Sequence, residues 1–257
     1  MKRLLPCLLA LLLLSGCGFS VPFLPGREAV TQEQNEAETP SDVPVVTEQP
    51  APVTTPEPVV IYDAMLNEGV YTDSLGNTWN YVFRIPAIQA AGSDATKLNQ
   101  ELFMALYPAV KDAQDAMAEG LSLGINGVDY QVFVKDQMVS IVAEIDTDWG
   151  FEEYHVANFD AASLSACSRE QLLQKLGVTE EEFLHRAQNT VESYFEKSFS
   201  GIAKDSMYQD RHDKSVDPEN FKSDCQLFIN DEGALCMIVK IYSMAGADYY
   251  YHLMPVL

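Results

Sequence analysis

The chain has 257 residues, is 47% hydrophobic and carries a formal net charge of −22. Such a length supports one sizeable folded domain beside non-globular segments. Acidity of that size repels phosphate backbones and anionic lipid, which excludes nucleic acid as a partner and points to cations or basic proteins.

Lys2 and Arg3 precede an apolar run over residues 4–14, too short to span a bilayer and laid out like an export signal. The run ends in Leu14-Ser15-Gly16-Cys17, which resembles the bacterial lipobox, where the cysteine thiol is alkylated with diacylglycerol and the leader is cut just before it. The resemblance implies a signal peptide over 1–16, a lipidated Cys17, and attachment to the outer face of a cell membrane. Two or more acyl chains anchor stably, each buried methylene adding roughly 0.8 kcal/mol. Residues 17–58 then show Pro, Thr, Glu and Val with no helical or alternating period, which predicts a disordered tether. At about 3 Å per residue it can hold a domain on the order of 100 Å from the membrane.

The folded part is residues 59–257, with 59–162 and 163–257 as candidate subdomains. Lys2 and Arg3 leave with the signal, and the tether sets seven acids against Arg27, so this part carries −18. "TWNYVFRIPAI" (78–88) predicts a strand ended by Pro86. A helix follows from Ser93, with Leu98, Leu102, Leu106, Val110, Ala113 and Met117 on one face. Ser93 or Asp94 is its expected cap, and Pro108 its expected kink. "GVDYQVFVKDQMVSIVAEID" (127–146) predicts a hairpin about Asp136-Gln137, with Val128, Tyr130, Val132 and Val134 facing Ile145, Ala143, Ile141 and Val139. The other face then carries Asp129 opposite Glu144, followed by Asp146 and Asp148 at two-residue steps. Like charges facing across a sheet are destabilising unless offset, and no Lys or Arg falls between Asp136 and Ser168. These four carboxylates are the candidate binding face.

"EYHVANFD" (153–160) predicts a third strand. Ser168 with Gln171 and Thr179 with Glu182 predict capping boxes opening a short and a longer helix, the longer one presenting Phe183, Ala187, Val191 and Tyr194 to the core. Residues 200–224 show no period. "CQLFINDEGALC" (225–236) predicts a hairpin with Asp231-Glu232-Gly233 as its loop, which sets Phe228 opposite Cys236 and Cys225 opposite Val239. The two thiols then lie on opposite faces and are not expected to bridge, because a disulfide needs Cα atoms within about 7 Å. A last strand is expected near 248–254. Antiparallel hairpins and helices in separate blocks, with a long kinked helix and a second helical pair, define an α+β fold.

Signatures of chemistry are missing: no G-x-S-x-G, P-loop, G-x-G-x-x-G or H-E-x-x-H occurs, and the four histidines have no metal-ligand spacing. No catalytic residue, metal or cofactor is therefore assigned. "DTDWGFEE" (146–153) resembles part of a calcium loop but places Gly150 where a ligand should stand. In "DYYYH" (248–252), alternation sends Tyr250 one way and Tyr249 and Tyr251 the other.

"YVFRIPAI", "LNQELF", "NFDAASLSACSREQLL" and "FKSDCQLFINDEGALCMIVKIY", in that order, resemble the extracellular domain shared by the lysozyme-sensing anti-sigma factor RsiV and the non-catalytic part of some peptidoglycan deacetylases, a paired domain of unknown function. The resemblance covers about 60–257. It implies an α+β envelope-facing binding module, with a lysozyme-like basic protein or a cell-wall component as candidate partner. Two alternatives stay open: an envelope hydrolase built around His155, His185 or His212 with a thiol or carboxylates, and a structural spacer whose acidic face is covered by distant basic side chains.

Overall fold

The computed structural model describes residues 59–90, 92–147, 152–222, 225–245 and 247–256, all within one compact unit. Cys17, the tether and Asp148 lie outside the described residues. The fold is α+β, as the separation of hairpins from helices predicts. Among the described residues, eight strands form two sheets: β1 (Val60–Thr72), β2 (Thr78–Gln89), β3 (Ile125–Lys135), β4 (Met138–Thr147) and β5 (Glu152–Asp160) in that spatial order, and β6 (Gln226–Ile229), β7 (Leu235–Tyr242) and β8 (Tyr249–Pro255) in a second. The larger sheet is mixed rather than wholly antiparallel. Helix α1 (Ser93–Glu119) carries the chain from β2 to β3, and a crossover of that length brings the two together in parallel at Val82–Gly127 and Phe83–Val128.

The elements stack in four layers. Leu98, Leu102, Leu106, Val110 and Ala113 of α1 are buried against the inner face of the larger sheet, through Phe83, Ile85, Val128, Ile141 and Ile145. The outer face of that sheet packs Phe133, Val142 and Val156 on Phe228, Cys236 and Ile238 of the smaller one. The far side of the smaller sheet, through Met237, Val239 and Ile241, takes Leu172 and Leu173 of α2 (Arg169–Lys175), Phe183, Ala187, Val191 and Phe195 of α3 (Glu180–Ser198), and Tyr208 of α4 (Ser206–Val216). Residues up to Asp160 thus build the first two layers, and those after it the last two.

Polar groups fasten the two sheets. The Ser140 hydroxyl, fully buried on β4, donates to Asn158 Oδ1 at 2.7 Å and accepts the Ile229 N–H at 3.3 Å, while Asn158 Nδ2 donates to the Leu227 carbonyl at 2.8 Å. The Gln226 side chain bonds both the N–H of Val156 (2.9 Å) and the carbonyl of Tyr154 (2.7 Å). It imitates a neighbouring strand and so blocks the free edge of β5. Further along that edge, Ser165 and Cys167 pair with Asp160 and Asn158.

Several expectations need correction. Pro86 does not end β2; it pairs opposite Asp63, next to a bulge at Ala64, where a missing N–H is tolerated. Strand β1 has no counterpart in the sequence reading. Helix α1 is capped by Gly92 (φ 120°) instead of Ser93 or Asp94, has no side-chain cap, and continues through Pro108. Residues 206–216 and 218–221 are helical, because Asp205 caps α4 through the N–H groups of Met207 and Tyr208, and Asp217 opens a 3₁₀ turn. The core residue at the end of α3 is Phe195, with Tyr194 half-buried.

Candidate functional site

The β3–β4 hairpin holds the predicted register, from Val128 opposite Ile145 to Val134 opposite Val139. Asp136 takes a left-handed φ of 53°, which a short Asp side chain tolerates and the two-residue turn requires. Strand β5 then aligns Tyr154 with Glu144, and Glu152 with Asp146. Across the outer face, Asp129, Glu144 and Tyr154 form one row, and Gly127, Asp146 and Glu152 the next. The smaller sheet covers this face only from Val142 inward, so the carboxylates stand at its margin. Sequence reasoning placed Asp129, Glu144 and Asp146 here and missed Glu152, which needed the β4–β5 register to locate.

Counter-charge reaches one end of this face. Arg84 of β2 donates to Asp129 at 2.9 Å and to Asp63 at 3.2 Å, with its guanidinium 4.8 Å from the Tyr130 ring centroid. The Tyr130 hydroxyl donates to Asp63 at 2.8 Å; burial, then that bond, pushes its pKa up to about 12. No such cation reaches Glu144 or Glu152 among the described residues. Burial raises the pKa of Glu144, and the charges of Glu152 and Asp146 raise it further. Between them stands Tyr154, whose hydroxyl donates to Glu152 at 2.6 Å and whose own pKa is raised by burial and by that bond. Asp129, Tyr130, Glu144, Tyr154 and Leu253 line a pocket of 180 Å³ on one side of this ring.

The shift at Glu144 has a measurable sign. Its folded pKa lies above the ordinary carboxylate value near 4.3, so its contribution to stability is present below that value and lost as pH rises through the folded one. Glu144→Gln removes the penalised charge. Because the side chain is half exposed and screened, the gain at pH 7 is expected to be under about 1 kcal/mol, or roughly 1–3 °C in Tm. Thermal unfolding from pH 7 down to pH 4 should show the gain vanish; an unchanged gain at pH 4 would show that charge is not its cause.

A larger cleft of 550 Å³ opens on the other side of Tyr154, between β5 and β8. Glu152, Glu153 and His155 line one wall, and Asp248 to Tyr251 the other. As alternation predicts, Tyr249 and Tyr251 share one face of β8, paired with Tyr242 and Lys240 of β7. Their rings stand at 81° with centroids 5.6 Å apart, and Tyr251 meets Tyr154 at 80° and 6.3 Å. Burial lowers the pKa of His155, so the imidazole is neutral at pH 7 and adds no positive charge.

The histidines do not assemble a nucleophile. His185 bonds Asn189 on the exposed face of α3, His212 packs against Phe195 and Tyr208, and His252 bonds the Tyr194 hydroxyl at 3.1 Å. His155 and Cys167 do line one 310 Å³ pocket, together with Glu101. Burial, however, raises the thiol pKa and lowers the imidazole pKa, both opposite to what a thiolate–imidazolium pair requires. Cys225 and Cys236 are unbridged thiols on opposite faces of the smaller sheet, with Phe228 opposite Cys236 as the hairpin predicts. Burial holds Cys225 up at about 12. Among the described residues no helix is long and apolar enough to cross a membrane, and no group of His, Cys, Asp or Glu is arranged to hold a metal ion.

No family model matches the chain, and no curated protein matches it. Among solved structures it is similar to a DUF3298 family protein from Pseudomonas aeruginosa PAO1, at 13% identity over 78% of this chain and 91% of that one, with a TM-score of 0.38. It is also similar to a DUF3298 family member from Bacteroides fragilis NCTC 9343, at 9% identity over 77% of this chain and 89% of that one, with a TM-score of 0.36. These structural neighbours carry the family label of a domain of unknown function.

Proposed function

We propose that this chain is a lipid-anchored, extracytoplasmic, non-enzymatic binding protein whose acidic α+β domain takes a basic partner. The observation that carries the reading is the carboxylate-rich margin of the larger sheet. Glu144 is half-buried beside Asp146 and Glu152, and its ionised form is disfavoured there. A face that holds like charges together at a cost in stability is one on which a cation from outside gains most. Arg84 covers Asp129, as the structural-spacer alternative requires, but does not reach Glu144. The motif resemblance to the extracellular domain of a lysozyme-sensing anti-sigma factor supplies the partner class, a lysozyme-like basic protein; a cationic wall component is the other candidate.

The test is calorimetric titration of the full chain in detergent with lysozyme, against the triple variant Glu144→Gln, Asp146→Asn, Asp148→Asn. Wild type should bind, and should weaken steeply as the Debye length falls from about 10 Å at 0.1 M salt to about 3 Å at 1 M. The variant should keep its fold and bind about tenfold or more weakly. Equal affinity in the two, or binding indifferent to salt, refutes the acidic face.

A further inference from the structure

We propose that the free edge of β1 is a self-association surface, which pairs antiparallel with β1 of a second copy of this chain and joins two five-stranded sheets into one. The inference goes beyond the reading above and does not depend on the acidic face.

The larger sheet has two ends, and the chain treats them differently. At the β5 end the Gln226 side chain accepts from the Val156 N–H and donates to the Tyr154 carbonyl, while Ser165 and Cys167 pair with Asp160 and Asn158. Backbone groups there are matched from within. At the other end β1 runs for 13 residues and pairs, among the described residues, only with β2. A long edge strand presents a row of backbone donors and acceptors to any second strand, and monomeric proteins blunt it with short strands, Lys, Pro or bulges. Residues 60–72 contain no Lys, Arg or Pro. Their one bulge, at Ala64, lies towards the start and leaves residues 65–72 in regular register with β2. The side chains beside the edge are apolar and open. Leu66 is 55% and Val70 66% exposed, with Val82 of β2 next to them, because the smaller sheet packs on this face through Phe133, Val142 and Val156 of β3–β5.

The occupant is a second copy for three reasons. First, the stretch leading into β1 is a poor strand: Pro40, Pro44, Pro50, Pro52, Pro56 and Pro58 leave no run longer than five residues with a full set of backbone donors. Second, β1 offers a basic partner little, since Asp63, one of its two acids, is already held by Arg84. Third, β1 matches itself. An antiparallel register about Leu66 sets Leu66 against Leu66 and Glu68 against Ala64, so no like charges face each other. With one open edge per copy the pairing closes at two. An edge about 44 Å long, buried over a strip about 10 Å wide on each copy, gives roughly 900 Å² in total, the size of a weak and reversible interface. Anchoring in one membrane would strengthen it by raising the effective concentration. The two β1 strands begin at opposite ends of the pair, about 44 Å apart, and residues 17–58, at up to about 3 Å each, can span that distance. Such a dimer leaves both acidic margins open, so it would meet a basic partner bivalently.

The test uses the full chain in detergent. Sedimentation at about 100 µM should show a reversible monomer–dimer equilibrium. Leu66→Lys combined with Val70→Lys puts ammonium groups on the shared edge and should weaken association about tenfold or more. Both positions are exposed, so Tm should stay within about 2 °C, and Met104→Lys, on the exposed side of α1, should leave association unchanged. Single cysteines at positions 64, 66, 68 and 70 read the contact directly. Mild oxidation should link two copies there, where facing Cα atoms lie about 5 Å apart, and should not link them through Leu75→Cys, which is more exposed but sits beyond the strand in the turn. Raising salt from about 0.1 M to about 1 M should preserve or tighten the dimer, because two acidic domains repel; lysozyme binding should weaken over the same range, which separates the two readings. A monomer at about 100 µM, an ineffective Lys pair, Leu75→Cys linked as fully as any β1 position, or association abolished by salt overturns the proposal. Linkage of the β1 cysteines in cells to a different protein, with no linked pair of this chain, overturns it too.

Discussion

Ser140→Ala is expected to destabilise the protein by about 2 kcal/mol, lowering Tm by roughly 4–8 °C. The hydroxyl is one oxygen atom, but it is fully buried at the seam between the two sheets and works in two directions. It donates to Asn158 Oδ1 and accepts from the Ile229 N–H, so its removal leaves a buried backbone donor without an acceptor. Leaving such a donor unmatched costs about 1–3 kcal/mol, well above the net worth of an ordinary hydrogen bond. Strand β6 has only four residues, so it cannot recover the loss along its own ladder. Urea unfolding of wild type, Ser140→Ala, Asn158→Ala and the double variant tests this. The double variant should cost less than the sum of the singles, since both act on one network. A Ser140→Ala cost below about 0.5 kcal/mol would mean that the seam is held by the apolar contacts alone.

That seam also marks where the sequence stops being legible. The β3–β4 hairpin could be read to the residue because two facts agree: alternation over eight positions and a two-residue turn that fixes the register. The capping boxes at Ser168–Gln171 and Thr179–Glu182 were readable for a similar reason, as each is a closed set of local hydrogen bonds. What covers the other face of the hairpin could not be read. Ser140 and Val142 alternate with the inward residues and look like solvent positions, yet both are buried, because a sheet formed some 90 residues later packs on them. The counter-charge on Asp129 is hidden in the same way: Arg84 is 45 residues away and arrives through the parallel β2–β3 contact. Helix α4 was missed because only Tyr208 and Ser215 are buried along it, too few to print a helical period. Strand β1 escaped notice because its outward positions, Val60, Tyr62, Leu66 and Val70, are as apolar as its inward ones, and this blurs the alternation. The site shows the same division. Local pattern gave its carboxylates, whereas Glu152, the walls of the cleft and the position of Tyr154 between its two cavities depend on long-range packing.

Cys17→Ser is expected to move the protein from the membrane fraction to the soluble one almost completely. The four residues ending at Cys17 place small side chains at 15 and 16 before a thiol, and the apolar run ahead of them is too short to hold the chain in a bilayer by itself. All stable attachment is therefore assigned to the acyl chains on one sulfur. A serine hydroxyl at that position cannot form the thioether, so neither the lipid nor the cleavage that follows it is made. None of the described helices is long and apolar enough to cross a membrane, and a charge of −18 over residues 59–257 is repelled by an anionic bilayer surface. Under the proposed anchoring, the same charge would give the segment over 17–58 a physical purpose. A strongly acidic domain held within a Debye length of about 8 Å of an anionic bilayer would be repelled, and a proline-rich sequence of that many residues, at up to about 3 Å each, could span on the order of 100 Å and clear that field. Fractionation of cells expressing each form, with globomycin-type inhibition of the lipoprotein peptidase as a parallel arm, decides the matter. A serine variant that sediments with membranes as fully as the wild type would place the anchor elsewhere in the chain.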